Sequence, residues 1–288
     1  MVVIGGLVAV VVLVFGGYMW AGGSLSVILH AMPYEGMMIG GGAIGSFVVA
    51  NSLPVIRKTG AGLVRAIRGA RWSRQDHGDM LRLLVELGKL QRESAVKLEP
   101  HIETPSQSDI FGRYPRLRDD ADALAMIRDG FRLVSMEYDD PSKIDTVLSK
   151  RIEKVRADRL SPVVALETMA DALPAIGIVA AVLGVINSLG AVDESPAVLG
   201  KKIGGALVGT FMGVFLAYCF VSPLATRLRT TEEQDIQLLH VVREFFVAMT
   251  DGVAPNVCAE IARTAIPRSI EPDFDEVEQL TRELRGTA

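Results

Sequence analysis

Few of the residues that usually announce chemistry are present. The 288-residue chain has two cysteines, Cys219 inside an apolar run and Cys258 far along the chain, at no metal or disulfide spacing. Both read as small apolar fillers. Its four histidines, His30, His77, His101 and His240, lie in different segments, and none has a serine, cysteine or carboxylate at a recognised catalytic spacing. No glycine loop sits between a strand and an amphipathic helix, so no phosphate cradle is expected. No stretch alternates apolar and polar residues as a half-buried strand does. A net charge of -4 holds no sign of a nucleic-acid partner. An enzyme has little support, and no cofactor or metal is called for.

What is present is apolar and clustered. Hydrophobic residues make up 49% of the chain and the mean hydropathy is +0.32, high for a cytosolic protein. They fall in four blocks of roughly 20 residues, the length that crosses a hydrocarbon core of about 30 Å as a helix. The reading is an all-α polytopic membrane protein with four transmembrane helices. A large helical cytoplasmic insert separates helices 2 and 3, and a helical cytoplasmic tail follows. Residues 1–56 carry spans 1 and 2, 57–170 the insert, 171–225 spans 3 and 4, and 226–288 the tail.

The first block, Val2 to Trp20, lacks a basic n-region and is full length, so it reads as a retained span rather than a cleaved leader. Tyr18 and Trp20 close it like an interfacial aromatic pair. The second is placed at Met37 to Ile56, opened by Glu35, with Gly41 and Gly45 on a face small enough for close helix contact. Arg57, Lys58, Arg65, Arg68, Arg71 and Arg74 follow at once, which puts that side in the cytoplasm. Both termini are then cytoplasmic. In the insert, Asp79 to Leu90 has helical spacing, Pro100 and Pro105 break the pattern, and Leu117 to Met136 is helical again. A turn is expected at Asp139, Asp140 and Pro141. Ser142 with Asp145 then resembles a capping box on a helix to about Leu160. In the tail, Thr231 with Gln234 would cap a helix to Met249, ahead of a turn at Gly252 to Pro255 and an acidic helix from Asp273.

The hairpin from Asp171 to Leu224 is the densest stretch. Gly205, Gly209, Gly213 and Ala217 draw a small-residue stripe along helix four, and Gly177, Ala181, Gly184 and Ser188 another along helix three. Such stripes let helices approach closely, and with several of them some are expected to face other subunits. Pro174 is placed in the first turn of helix three and Pro223 at the end of helix four, where it would stop the helix. Thr210, midway along helix four, either bonds its own backbone or faces a hydrated cavity. Tyr218 adds a further hydroxyl. No carboxylate is placed inside any block, since Glu35, Glu167, Asp171, Asp193 and Glu194 stand at edges or in loops. A proton relay needs an ionisable group at depth. A chain of this kind is expected to be a poor pump alone, with the acid supplied by a partner. In the insert, Arg92 and Glu99 are seven apart and would share one helix face.

Several motifs in order carry a family resemblance: VFGGYMWAGGSL, GAIGSFVVAN, IFGRYPRL, DALPAIGIVAAVLGVINSLG and LVGTFMGVFLAYCFVSPLATRL. Over nearly its whole length the chain resembles the MotA/PomA family of flagellar motor stator subunits, and more distantly the ExbB and TolQ energy transducers. The resemblance implies a homopentamer around a dimer of MotB, whose single transmembrane helix bears the proton-accepting aspartate. The insert would push on the rotor protein FliG. Pro174 and Pro223 match the coupling prolines, Thr210 matches the threonine facing the ion path, and Tyr218 joins that group. Arg92 and Glu99 match the charged pair that engages FliG, with Lys89 the alternative to Arg92. One hydroxyl at Val208-Gly209-Thr210, where sodium-type chains carry two, favours H+ over Na+. The implied setting is the bacterial inner membrane. An ExbB/TolQ-type transducer and a stand-alone channel or transporter are the alternatives.

Overall fold

A computed structural model describes residues 2–136 and 140–283, so Asp139 of the expected turn lies outside the described residues. Every regular element among the described residues is a helix, and none is a strand. In chain order the helices are α1 (Val2–Trp20), α2 (Leu25–Ala50), α3 (Leu53–Arg68), α4 (Arg74–Glu93) and α5 (Ala95–Glu103). Two single-turn helices follow, α6 (Asp109–Gly112) and α7 (Pro115–Arg118), then α8 (Ala121–Ser135) and α9 (Pro141–Leu189). The last four are α10 (Pro196–Leu216), α11 (Ser222–Thr250), α12 (Pro255–Arg263) and α13 (Phe274–Glu283). They form two compact units, 1–69 with 160–231 and 70–159 with 232–288.

The first unit is the apolar one. Its α1 buries none of its residues and is apolar on every side, which suits lipid or another chain rather than water. Among the described residues three helices are long and apolar enough to cross a membrane: Val2–Trp20, Pro141–Leu189 and the continuous stretch Pro196–Thr250. The 26-residue α2 has the length but is diluted by His30, Pro33 and Glu35. It also departs from the sequence reading. Ser24, in extended conformation, starts the helix ahead of Leu25, and it ends at Ala50, where the Asn51 side chain donates through Nδ2 to the Phe47 carbonyl at 2.8 Å. The basic cluster then opens on a separate amphipathic helix, α3, with Pro54 in its first turn. Ala66, Leu160, Val163, Leu166, Ala225 and Leu228 make one small core of this unit. Ile39, Ala43, Leu173, Ala180 and Ala217 make another.

Two prolines behave differently from expectation. Pro174 lies deep inside α9, because helix three is the end of a 49-residue helix that Asp140 opens. Asp140 accepts from the Ser142 amide at 3.0 Å with Pro141 at the first helical position, so the cap is two residues ahead of the expected Ser142 box. Pro223 does not stop its helix. The chain widens into a π turn over Ala217–Val221, with the Ser222 amide reaching back to the Ala217 carbonyl, and continues as α11. A five-residue reach bypasses the amide that Pro223 lacks. Thr231, expected as a cap, is an interior buried residue bonding the Arg227 carbonyl at 2.9 Å.

The second unit is built like a soluble domain. Met80, Leu81, Leu84 and Leu87 of α4 bury against Phe111, Phe131, Phe245, Phe246 and Cys258. Phe131 and Phe246 meet edge to face, ring centroids 4.8 Å apart. Burial pushes the Cys258 thiol up to about 11, which fits an inert filler. A full capping box, Ser73 with Asp76, starts α4. The break at Ser94 separates α4 from α5, and Pro100 is carried inside α5 rather than breaking it.

Candidate functional site

The site grows from the crossing of α9 and α10. A Cβ placed on Gly213 would stand 2.7 Å from the Leu173 carbonyl oxygen and 2.8 Å from the Gly177 Cα. One on Gly177 would stand 2.9 Å from both the Gly209 carbonyl oxygen and the Gly213 Cα. These glycines therefore face each other, and the two stripes read from the sequence pack within one chain. Their purpose is close backbone approach. Three of the α2 glycines differ, for a Cβ on Gly40, Gly41 or Gly45 would meet nothing within 4 Å beyond its own helix.

A third helix adds the feature that the sequence reading missed. Glu35 of α2 is only 5% exposed, and its Oε2 is buried without a hydrogen-bond partner. Gly209 makes room for it: a Cβ there would lie 2.6 Å from Oε2, and one on Gly184 would lie 3.4 Å from Oε1. This corrects the expectation that no carboxylate lies at depth. The signal was available in Ser24, since a helix started there carries Glu35 about 16 Å along its axis at ~1.5 Å per residue. Glu35 lines a cleft of about 500 Å³ together with His30, Tyr34, Asn187, Lys201 and Lys202. Lys202 pairs with Glu194 at 3.6 Å.

Thr210 is half-buried on α10, beside the stripe, and its hydroxyl has no partner among the described residues. That is unusual here. Thr59, Thr146, Thr168, Thr226, Thr230, Thr231 and Thr250 all donate to the carbonyl one turn back, at 2.8 to 3.1 Å. Tyr218 is 63% exposed within the π turn, and Pro223 is exposed one turn on. Phe15 of α1 packs on Phe211 and Phe215 of α10, centroids 5.9 and 5.4 Å apart, away from the Glu35 side of the stripe.

The charged pair of the insert is separated by the break at Ser94, which is extended (φ -167°), so the two do not share a helix face. Arg92 donates to the Gly252 carbonyl at 2.8 Å and the Val253 carbonyl at 2.7 Å, holding the turn between α11 and α12. Glu99 is exposed on α5 at the rim of a cleft of about 330 Å³ that includes Val96, Phe131 and Met136. Lys89 has a partner of its own.

Residues 4–95 match the family described as Motility protein A N-terminal, and residues 120–240 match the MotA/TolQ/ExbB proton channel family. Motility protein A of Escherichia coli (strain K12) is 36% identical over 287 residues, 99% of this chain and 97% of that one. Chemotaxis protein LafT of Vibrio parahaemolyticus is 33% identical over 282 residues, 98% of each. Among solved structures, C. jejuni MotAB superposes with a TM-score of 0.70 at 16% identity, over 92% of this chain and 95% of that one. The flagellar MotAB stator complex from Bacillus subtilis superposes at 0.68 and 20% identity, over 94% and 98%. At those identities the two structures speak for the fold.

Proposed function

The chain belongs to the Motility protein A family, and from that membership we propose that it is the membrane subunit of an ion-driven flagellar stator. Ion flow across the membrane becomes torque on a rotor. The partner is a MotB-type chain, and the rotor contact is FliG. Five copies ring the partner dimer in the bacterial inner membrane, with both termini in the cytoplasm. The four spans are α1, α2, the 171–189 end of α9, and α10. At ~1.5 Å per residue α2 is about 39 Å long, enough for a core of about 30 Å. Protons are the driving ion, since the polar face of α10 offers one hydroxyl rather than two.

The observation that carries this reading is Thr210. A threonine within a helix ordinarily quiets its hydroxyl on its own backbone, as seven others in this chain do. Leaving one unbonded on a span suits a hydroxyl that meets an ion or a partner's carboxylate. Pro174 inside α9 and the π turn before Pro223 supply places where helices bend and repack, as coupling requires. Glu99, exposed and at the rim of a partly apolar cleft, suits a rotor contact. Arg92 serves that surface through the turn it holds.

The test is motility. Pro174→Leu and Pro223→Leu are each expected to abolish swimming while the chain still inserts in the membrane. Normal swimming by both variants would remove the coupling role. A transducer of the ExbB/TolQ type remains the competing reading, and reporter fusions that place the N-terminus outside would favour it.

A further inference from the structure

We propose that Glu35 is a proton-accepting site of this chain itself, a second acid on the ion route beside the one its partner supplies. The proposal rests on the stator reading for its route, but the site stands on three observations of its own. First, the carboxylate is all but buried within a membrane-length helix, and its Oε2 has no hydrogen-bond partner. A buried, unpaired carboxylate is costly in hydrocarbon, and such groups at membrane depth mark ion and proton pathways. Second, the space it fills is made for it. Gly209 and Gly184, from two other helices, leave the volume that any side chain on Gly209 would take from Oε2. Third, it is not sealed away, since it forms part of the wall of the cleft beside His30, Tyr34, Lys201 and Lys202.

The arrangement describes a station rather than a structural ion pair. The titratable groups that share its cleft are His30 and Tyr34 on its own helix and Lys201 and Lys202 on α10, with Asn187 the uncharged polar group from α9. None of them bonds it. Lys202 is engaged by Glu194. Oε2 is thus open to take a proton from water in the cleft as O–H, and to give it back without breaking a protein hydrogen bond. Gly209 immediately precedes Thr210 on α10, so the helix that packs on this carboxylate also carries the free hydroxyl.

The experiment uses the full chain with its MotB-type partner in vesicles, in sodium-free medium, with Glu35→Gln and Glu35→Asp. Infrared difference spectra against pH are recorded on the same samples and on the chain without partner. The proposal expects a carboxyl C=O stretch that titrates in the wild type and vanishes in Glu35→Gln. It also expects proton uptake lost in Glu35→Gln and restored in Glu35→Asp, at equal membrane levels. A Glu35→Gln complex with wild-type uptake and an unchanged carboxyl band would overturn it, as would uptake that appears only when sodium is added. If the wild-type complex takes up no protons at all, the stator reading fails, while the infrared titration of the chain alone still decides the site.

Discussion

Two buried carboxylates, one in each unit, show what separates a structural charge from a working one. Asp76 is 4% exposed and Glu35 is 5% exposed. Asp76 accepts from the Ser73 amide at 2.7 Å, from the Ser73 hydroxyl at 2.6 Å and from the Arg116 guanidinium at 2.7 Å. Arg116 in turn donates to the Arg71 carbonyl and lies 5.6 Å from the centre of the Trp72 ring. Asp235 is held likewise by the Arg71 amide at 2.7 Å, and Asp120 by the Ala123 amide at 2.9 Å and the Arg71 side chain at 2.6 Å. At these three aspartates burial of charge is answered by hydrogen bonds, and at Asp76 and Asp120 the charge fixes where a helix begins. In the glycine-lined unit the one deeply buried acid among the described residues is left with nothing. A fold that holds these three aspartates so closely and leaves Glu35 open is keeping it for something that comes and goes.

The contrast is most easily upset at Asp76. Asp76→Ala is expected to cost about 3 kcal/mol, because it removes a cap and leaves Arg116 and the Ser73 amide unpaired. In the same thermal unfolding measurement Glu35→Gln should change stability by no more than about 0.5 kcal/mol. Equal losses at the two positions would mean that Glu35 is structural after all.

The glycines draw the same line more finely. Gly213→Ala pushes a methyl into the Leu173 carbonyl and should cost about 1–3 kcal/mol by overpacking. Gly45→Ala meets nothing within 4 Å and should be neutral or slightly stabilising, by up to about 1 kcal/mol. Unfolding of the two variants in detergent, side by side, checks the assignment of the stripes.

Much of this was legible beforehand, and what was not has a physical cause. Composition and the four apolar blocks were enough for the all-helical membrane class, and the motif order for the family. The stripes of α9 and α10 were visible as spacing, but whether they met each other or another subunit depended on backbone approach that spacing does not encode. Glu35 was hidden by its neighbours. Pro33 and the polar flank of Tyr34 and Glu35 look like a loop, and only the Ser24 start turns them into the middle of a helix. Pro223 reads as a stop because a proline forbids the tight helix, not the wider π turn that replaces it.

Smaller effects follow. Thr210→Val keeps the shape and loses a hydroxyl that bonds nothing, so stability should move by less than about 0.5 kcal/mol while swimming speed falls. Thr250→Val, which loses a bond to the Phe246 carbonyl, should leave swimming unchanged. The smallest effect is one of pH. Burial holds His77 below the ordinary histidine range, offset in part by its bond to the Ser73 carbonyl and by Asp76 and Asp235. The unfolded chain therefore takes up a proton that the fold resists. Stability tied to this ring is complete above the unfolded value of about 6.5 and declines as pH falls below it toward the folded one. A His77→Gln variant should flatten that slope in unfolding curves taken across this range.

The decisive measurement is proton uptake by vesicles holding this chain alone, or this chain with a partner that has one transmembrane helix and a membrane-proximal aspartate. Uptake is expected only when both are present, together with co-purification of the two chains. Uptake by this chain alone, at the rate seen with the partner, would contradict the stator reading.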